Sequence, residues 1–392
     1  MLNFTKQPLT PYLIRRQSMK VQVKVLFLSM AMTMFLGLGN AWAEIRIGLM
    51  APLTGSWASE GRDMRDIVQL LVDEVNAAGG IDGQKVTLRV EDDGGDPRTA
   101  VSAANRLATR GVVAVIGTYG SSITEATQNI YDDFGVIHLA NGATSVRLTE
   151  KGLNYFFRTC PRDDEQGRVA AETIEELGYN SVAILHDSTS YARGLADETR
   201  ALLEQGNKEI VFFDALTPGE RDYSTILSRL RNSNPEIVFF TGYYPEAGML
   251  LRQKNEMNWN VPMLGGDATN NPDLVSIAGT ASAQGFYFLS PPVPQDLETP
   301  QATEFLSSFN EKHDTNPGSI WAVLAGDAFL VLADALKATG STDKDVLADY
   351  MRDELEIDGL TGTISFNEHG DRYGELYRLY QVDGEGNFVM QD

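Results

Sequence analysis

Two donor-rich turns stand close together in this chain. Gly117-Thr118-Tyr119-Gly120-Ser121-Ser122-Ile123-Thr124 follows the apolar run from Gly111 to Ile116 and opens a helical segment from Glu125 to Phe134. Asn141-Gly142-Ala143-Thr144-Ser145 follows a second apolar run, Val136 to Ala140. Each reads as a buried strand handing hydroxyls and free backbone N–H groups to a turn or helix start, where unpaired donors and the helix dipole favour an anion. The chemistry implied is the seating of a carboxylate rather than the making of a bond. Taken singly, Ser121 and Thr144 also fit as helix caps. Their occurrence on consecutive units is what directs them to one small ligand.

Catalytic apparatus is scarce. The chain has no Gly-x-Ser-x-Gly elbow, no Walker loop, no Gly-x-Gly-x-x-Gly after a strand and no His-Glu-x-x-His. His138 and His186 fall in apolar strands and read as neutral core residues. His186, Asp187 and Ser188 have the residue types of a triad, but neighbours on a strand point to opposite faces, so they do not assemble one. Asp92-Asp93-Gly94-Gly95-Asp96-Pro97 lacks the oxygen spacing and closing glutamate of an EF-hand loop and reads as a turn with a helix cap. No metal and no cofactor are expected. Cys160, the single cysteine, has no internal disulfide partner and reads as a half-buried small apolar residue at a strand end.

The elements that position these turns alternate regularly. Ile45 to Met50 precedes a helix from about Gly61 to Ala78, and Val86 to Val90 precedes one from Thr99 to Arg110. After Pro161 a second series brings strands at Val182–His186, Glu209–Phe213 and Pro235–Thr241. Its helices fall near Gln166–Leu177, Leu195–Gln205, Ser224–Asn232 and Pro245–Met257. This rhythm predicts an α/β protein with two doubly wound, parallel-sheet lobes. Pro291-Pro292-Val293-Pro294 reads as a stiff polyproline-like connector. The helices beyond it, with a hairpin-like pair at Gly362–Phe366 and Tyr377–Gln381, are too few for a third core and must complete the two lobes.

Open parallel sheets bind ligands at the carboxyl ends of their strands. There the first lobe offers Thr54, Trp57, Glu60, Ser121, Ser122, Gly142 and Thr144. The second offers Asp187 to Tyr191, Tyr243, Tyr244 and Asp267. One lobe brings donors and the other a carboxylate and phenols, a division that suits a ligand with carboxylate and ammonium on adjacent atoms. Asp267 also fits as an ordinary cap in a Gly-Asp turn.

Residues 1–43 carry five basic residues and no acid, then an apolar core from Val25 to Leu38 and Ala41-Trp42-Ala43, the pattern of a signal peptide cleaved near Ala43. Met19-Lys20 is a candidate for the true start. Without this leader, 27 basic residues face 54 acidic ones, a net charge of −27. So acidic a surface excludes nucleic acid and anionic lipid as partners and favours a soluble monomer. No later segment is apolar for long enough to span a bilayer, and no cysteine follows the cleavage site to carry a lipid.

Beyond these readings the chain resembles the periplasmic branched-chain amino-acid binding proteins of ABC transporters, in the leucine/isoleucine/valine-binding group. The likeness covers nearly all of the mature chain and rests on Pro52-Leu53-Thr54-Gly55, Asn76-Ala77-Ala78-Gly79-Gly80-Ile81, Asp92-Asp93 to Asp96-Pro97, Ser121-Ser122, Gly167, Tyr191-Ala192-Arg193-Gly194-Leu195-Ala196, Asp222-Tyr223-Ser224 and Gly242-Tyr243-Tyr244-Pro245-Glu246. The resemblance implies two lobes joined by a three-crossover hinge, 44–161 with 290–366 and 162–289 with 367–392. These would close on a free amino acid, branched-chain or otherwise small and apolar, and deliver it to permease subunits in the periplasm. Carried over, the Ser121 hydroxyl, the Gly142 N–H and Thr144 would hold the α-carboxylate, with Ala143 also among the ligand-binding residues. Asp267 and the Gly142 carbonyl would hold the ammonium, and Tyr191 and Tyr243 would close over both. Asp267 stands where relatives often have glutamate. Gly95 and Gly120 replace a disulfide pair of some relatives. Trp57, Glu60 and Tyr119 line the side-chain end and differ from aliphatic-specific members.

Overall fold

Continuous apolar runs fold into strands buried on both faces, because parallel strands joined by helices leave neither face to water. A computed structural model describes residues 44–391. The expected leader and its cleavage site at Ala43 lie outside the described residues.

The first sheet is built from β1 (Ile45–Ala51), β2 (Val86–Asp92), β3 (Ala114–Ile116), β4 (Ile137–Ala140) and β5 (Phe156–Arg158), in the spatial order β2-β1-β3-β4-β5 with every pair parallel. Its helices are α1 (Ala58–Ala77), α2 (Pro97–Thr109) and α3 (Ser121–Phe134). Helix α2 starts as its residues dictate: Asp96 accepts a hydrogen bond from the Thr99 N–H, and Pro97 holds the first helical position. Helix α3 begins four residues before the expected Glu125. Gly120 precedes it and supplies no side-chain cap, so Ser121 is its first residue and not its cap.

After the crossing that follows β5, α4 (Asp163–Glu176) opens on Asp163, Asp164 and Glu165, acids placed at the positive end of the helix dipole. The second lobe continues through β6 (Ser181–His186), α5 (Ser190–Gln205), β7 (Glu209–Ala215), α6 (Ser224–Asn232), β8 (Ile237–Thr241), α7 (Tyr244–Glu256), β9 (Met263–Gly265), the short helices α8 (Asp273–Ala278) and α9 (Thr280–Ala283), and β10 (Tyr287–Ser290). The chain then returns. Pro291 to Val293 cross back, a single 3-10 turn follows at Pro294–Asp296, and α10 (Pro300–His313), α11 (Ile320–Thr339) and α12 (Lys344–Asp353) complete the first lobe, with α11 against α1.

The closing pair differs from the expected hairpin. The two-stranded ribbon is β11 (Ile357–Gly359) with β12 (Gly362–Ile364), while β13 (Arg378–Val382) joins the second sheet antiparallel to β10 and pairs onward with β14 (Phe388–Met390). The second sheet is therefore mixed, in the order β14-β13-β10-β9-β8-β6-β7. The physical reason is edge satisfaction: β10 offers an open row of backbone groups, and the Tyr380 ring stacks on Phe288 at 5.4 Å.

Three strands of chain thus cross between the lobes, and buried ion pairs bind them. Arg158 donates to Asp371 at 2.6 Å, to the carbonyls of Ala143 and Ser145, and to the Thr149 hydroxyl. Arg162 reaches the second Asp371 oxygen at 2.9 Å. Cys160 lies inside this crossing and is fully buried, not half-buried, because the connector itself is covered by both lobes; burial pushes its thiol up to about 12.

Candidate functional site

The carboxyl ends of both sheets face one another across the crossings, and the polar residues gathered there are almost all hidden from water. Ser121 accepts the Ser145 N–H at 3.2 Å, which leaves its own O–H free to donate. The Thr144 hydroxyl makes no hydrogen bond of good geometry, although it lies near enough to Asp163 to favour that carboxyl's charged form. Neither residue caps a helix, so the capping alternative falls for both. The Gly142 N–H points to the Thr118 carbonyl across a long 3.4 Å, and the Ala143 carbonyl is taken by Arg158.

Beside these turns lies an aromatic cluster. The Trp57 ring lies 4.1 Å from Tyr243 of the second lobe and 5.5 Å from Tyr119, and Tyr191 is 5.5 Å from Tyr243. Gly95 and Gly120 make the berth for Trp57: a Cβ on either would come within 2.9 and 3.1 Å of its ring. Thr54 is not part of this cluster. It is exposed, and its hydroxyl is held by Asp92 at 2.7 Å, which fixes the loop that carries Trp57.

Asp267 is buried, with one oxygen taking the Tyr377 O–H at 2.7 Å. Its backbone N–H donates to Gln166, whose amide in turn reaches Asp163 at 3.2 Å and the Tyr377 phenol at 3.1 Å. Burial pushes Asp267 up to about 7 against the bonds from Tyr377, Tyr191 and Gln166. Asp163 is raised by burial and then by Asp267 beside it. Asp163, Gln166 and Tyr377 were not among the residues singled out from sequence. The run of acids opening α4 just after a crossing was the one available signal; Tyr377 had none.

Glu60 completes the enclosure from α1. One of its oxygens takes the Ser319 O–H at 2.6 Å and the Asn271 amide at 3.3 Å, while Oε1 has no partner; burial pushes the carboxyl up to about 8. The phenol of Tyr119 is also unpartnered, and is raised by burial and next by Glu60.

The lobes meet directly around this interior. The Ser190 N–H donates to Ser122 at 2.9 Å, the Ser190 hydroxyl to Glu125 at 2.6 Å, and the Tyr244 phenol to the Ser56 carbonyl at 2.9 Å. What the arrangement can do chemically is enclose a small zwitterion. It does not assemble a nucleophile and base: the Nδ1 of His186 accepts the Ser188 N–H, and burial holds His138 down at about 3. Among the described residues no cluster of His, Cys, Asp and Glu is placed to hold a metal, and no helix is long and apolar enough to cross a membrane.

Residues 44–387 match the sequence model of the periplasmic binding proteins. A Leu/Ile/Val-binding protein homolog of Brucella abortus is 34% identical over 376 residues, 94% of this chain and the whole of that protein. Among solved structures, a leucine-binding protein of Thermotoga maritima superposes with a TM-score of 0.82 at 26% identity, over 89% of this chain and 98% of its own. A branched-chain amino-acid substrate-binding protein of Streptococcus pneumoniae, solved with isoleucine, gives 0.81 at 28% identity, over 89% of this chain and all of its own.

Proposed function

This chain belongs to the periplasmic binding protein family, and from that premise we propose that it captures a free amino acid between its two lobes for delivery to the permease of an ABC importer. The observation that carries the reading is the division of groups across the buried cleft. Donors with nothing to bind stand on the first lobe, and a carboxyl held among phenols stands on the second. In this reading the Ser121 and Thr144 hydroxyls and the backbone of the turn through Gly142 and Ala143 take the α-carboxylate. Asp267, with Asp163 behind it, takes the ammonium. Tyr191 and Tyr243 close from the second lobe, and Trp57 and Tyr119 wall the side chain.

Closure is the working step. Open lobes expose both half-sites to water, and a ligand that satisfies both makes the closed form the stable one, since only differential affinity shifts such an equilibrium. The names of the relatives place branched-chain amino acids first on the panel to be tried. The protein acts without turnover, as an exported monomer.

A thermal-shift screen against the common amino acids tests this, because a ligand bound only by the folded state raises the melting temperature. At 100 times its dissociation constant the ligand should add about 2.7 kcal/mol. Small-angle scattering with and without the best ligand should show a smaller radius of gyration on saturation. Hydrolysis of an ester or amide panel at a rate that tracks the protein would overturn the non-catalytic reading.

A further inference from the structure

Glu60 meets the Ser319 hydroxyl, the Asn271 amide and the Ala322 N–H at the start of α11, but no cation. It is 1% exposed, its Oε1 is unpartnered, and the charge acting most strongly on it is another acid, Asp63. Some structural acids are used more fully, although buried Asp93 and Asp187 also keep one oxygen each without a partner. Asp327 gives one oxygen to the Leu360 N–H and the other to Thr361, with Arg372 at 3.7 Å. Asp92 holds Leu53, Thr54 and Gly94. A carboxyl buried without such partners is costly, so it either remains protonated or is completed by a cation from outside the chain.

Its position favours the second case. Asn271 reaches Glu60 from the second lobe and Ser319 from the first, so the carboxyl lies where the lobes meet. The buried Tyr119 phenol is likewise unpartnered, and after burial it is Glu60 that most holds its proton on. The ring of Tyr119 packs against Trp57 and Tyr243, and such faces attract cations. The carboxyl seat and the ammonium partner of the proposed α-amino-acid site are supplied by other residues, which leaves Glu60 over.

Resting on the reading of the cleft as an α-amino-acid site, we propose that the ligand carries a second cationic group at the far end of its side chain, as lysine, ornithine and arginine do, and that Glu60 selects for it. Leucine, isoleucine and valine would leave the Glu60 oxygen and the Tyr119 phenol unsatisfied in the closed state. A site built to bond a polar group rejects the analogue lacking it far more strongly than an apolar pocket rejects a missing methylene.

Isothermal titration of the whole mature protein with lysine, ornithine and arginine against leucine, isoleucine and valine is the test. At least one basic amino acid should bind roughly 100-fold or more tighter than any of the three aliphatic ones. Glu60→Gln keeps an acceptor for Ser319 and Asn271 and removes the charge; it should weaken the basic ligand at least ~30-fold and leave leucine unchanged or tighter. Glu60→Leu should turn the preference toward the aliphatic side chains, and a melting curve of each variant shows that it is folded. Leucine binding as tightly as the best basic ligand would overturn the proposal while leaving the amino-acid reading intact. So would a basic-to-leucine ratio that Glu60→Gln leaves within about threefold. Silence toward all amino acids of both sets would instead overturn the amino-acid reading, and the proposal with it.

Discussion

The crossings and the cleft are equally hidden from water, yet they treat buried charge in opposite ways. At the crossings Asp371 is met by Arg158 and Arg162, and it is held below the ordinary carboxylate range by those guanidiniums in spite of burial. In the cleft, Asp163 and Asp267 meet an amide and phenols, Glu60 meets a hydroxyl and an amide, and all three are pushed up by burial. A charge completed within the chain stabilises the fold and has little left to offer a ligand. One left incomplete costs stability in the empty protein and returns it on binding. The difference separates architecture from function in a molecule where both are built from buried acids.

Four experiments would break or sharpen that contrast. The largest effect is expected at the crossings: Arg158→Ala removes one of the two guanidiniums on Asp371 and the donor to the carbonyls of Ala143 and Ser145, and should lower unfolding stability by about 3–5 kcal/mol, read from urea denaturation. A loss under 1 kcal/mol would mean the pair is not structural. Asp267→Ala should do the reverse, leaving stability equal or higher while weakening the best ligand by about 2–5 kcal/mol in titration calorimetry. Binding within threefold of the parent would remove Asp267 from the ammonium site. Ser121→Ala removes one of several carboxylate donors and should cost about 1.5–3 kcal/mol of affinity; it serves as the smaller companion of Asp267→Ala, and the opposite ranking would contradict the assigned roles.

The last effect is a slope. Acids raised on folding bind more protons in the native state, so their contribution falls as pH rises from the unfolded value through the folded one. For Glu60 that window runs from about 4.5 to about 8, and for Asp267 from 3.8 to about 7. The unliganded protein should therefore lose stability from pH 5 toward 8, and Glu60→Gln should flatten the slope by up to about 1.4 kcal/mol per pH unit within its window. Asp371 has the opposite sign, its contribution vanishing only as pH falls below the carboxylate range. Melting temperatures of parent and variant across that range decide the matter, and parallel curves would show that Glu60 carries no such load.

Much of the fold was legible in the residues. The helix at Ser224–Asn232 falls where its apolar spacing puts it, and Asp96 caps α2 as the Asp-Pro turn requires. Pairing at the carboxyl end was not legible. The strand that receives Tyr377–Gln381 lies some ninety residues earlier, and nothing in the local pattern of Gly362–Phe366 distinguishes a hairpin partner from a nearby ribbon. The site shows the same division: Ser121, Thr144, Tyr191, Tyr243 and Asp267 stand out as residue types at strand ends, whereas Asp163, Gln166 and Tyr377 join them from a helix start and from the third crossing.

By itself the sequence determined the strand-helix rhythm, the two lobes and the strand ends that face a ligand, because periodicity, caps and turns are set by neighbours a few residues apart. Only the tertiary structure decided which acids are completed and which are left waiting. Asp371 and Glu60 are both carboxyls beside a glycine in the chain, and the partners that meet them come from segments more than two hundred residues away. Burial without a partner is a property of the assembled molecule, and Glu60, Tyr119 and Thr144 show it in this protein.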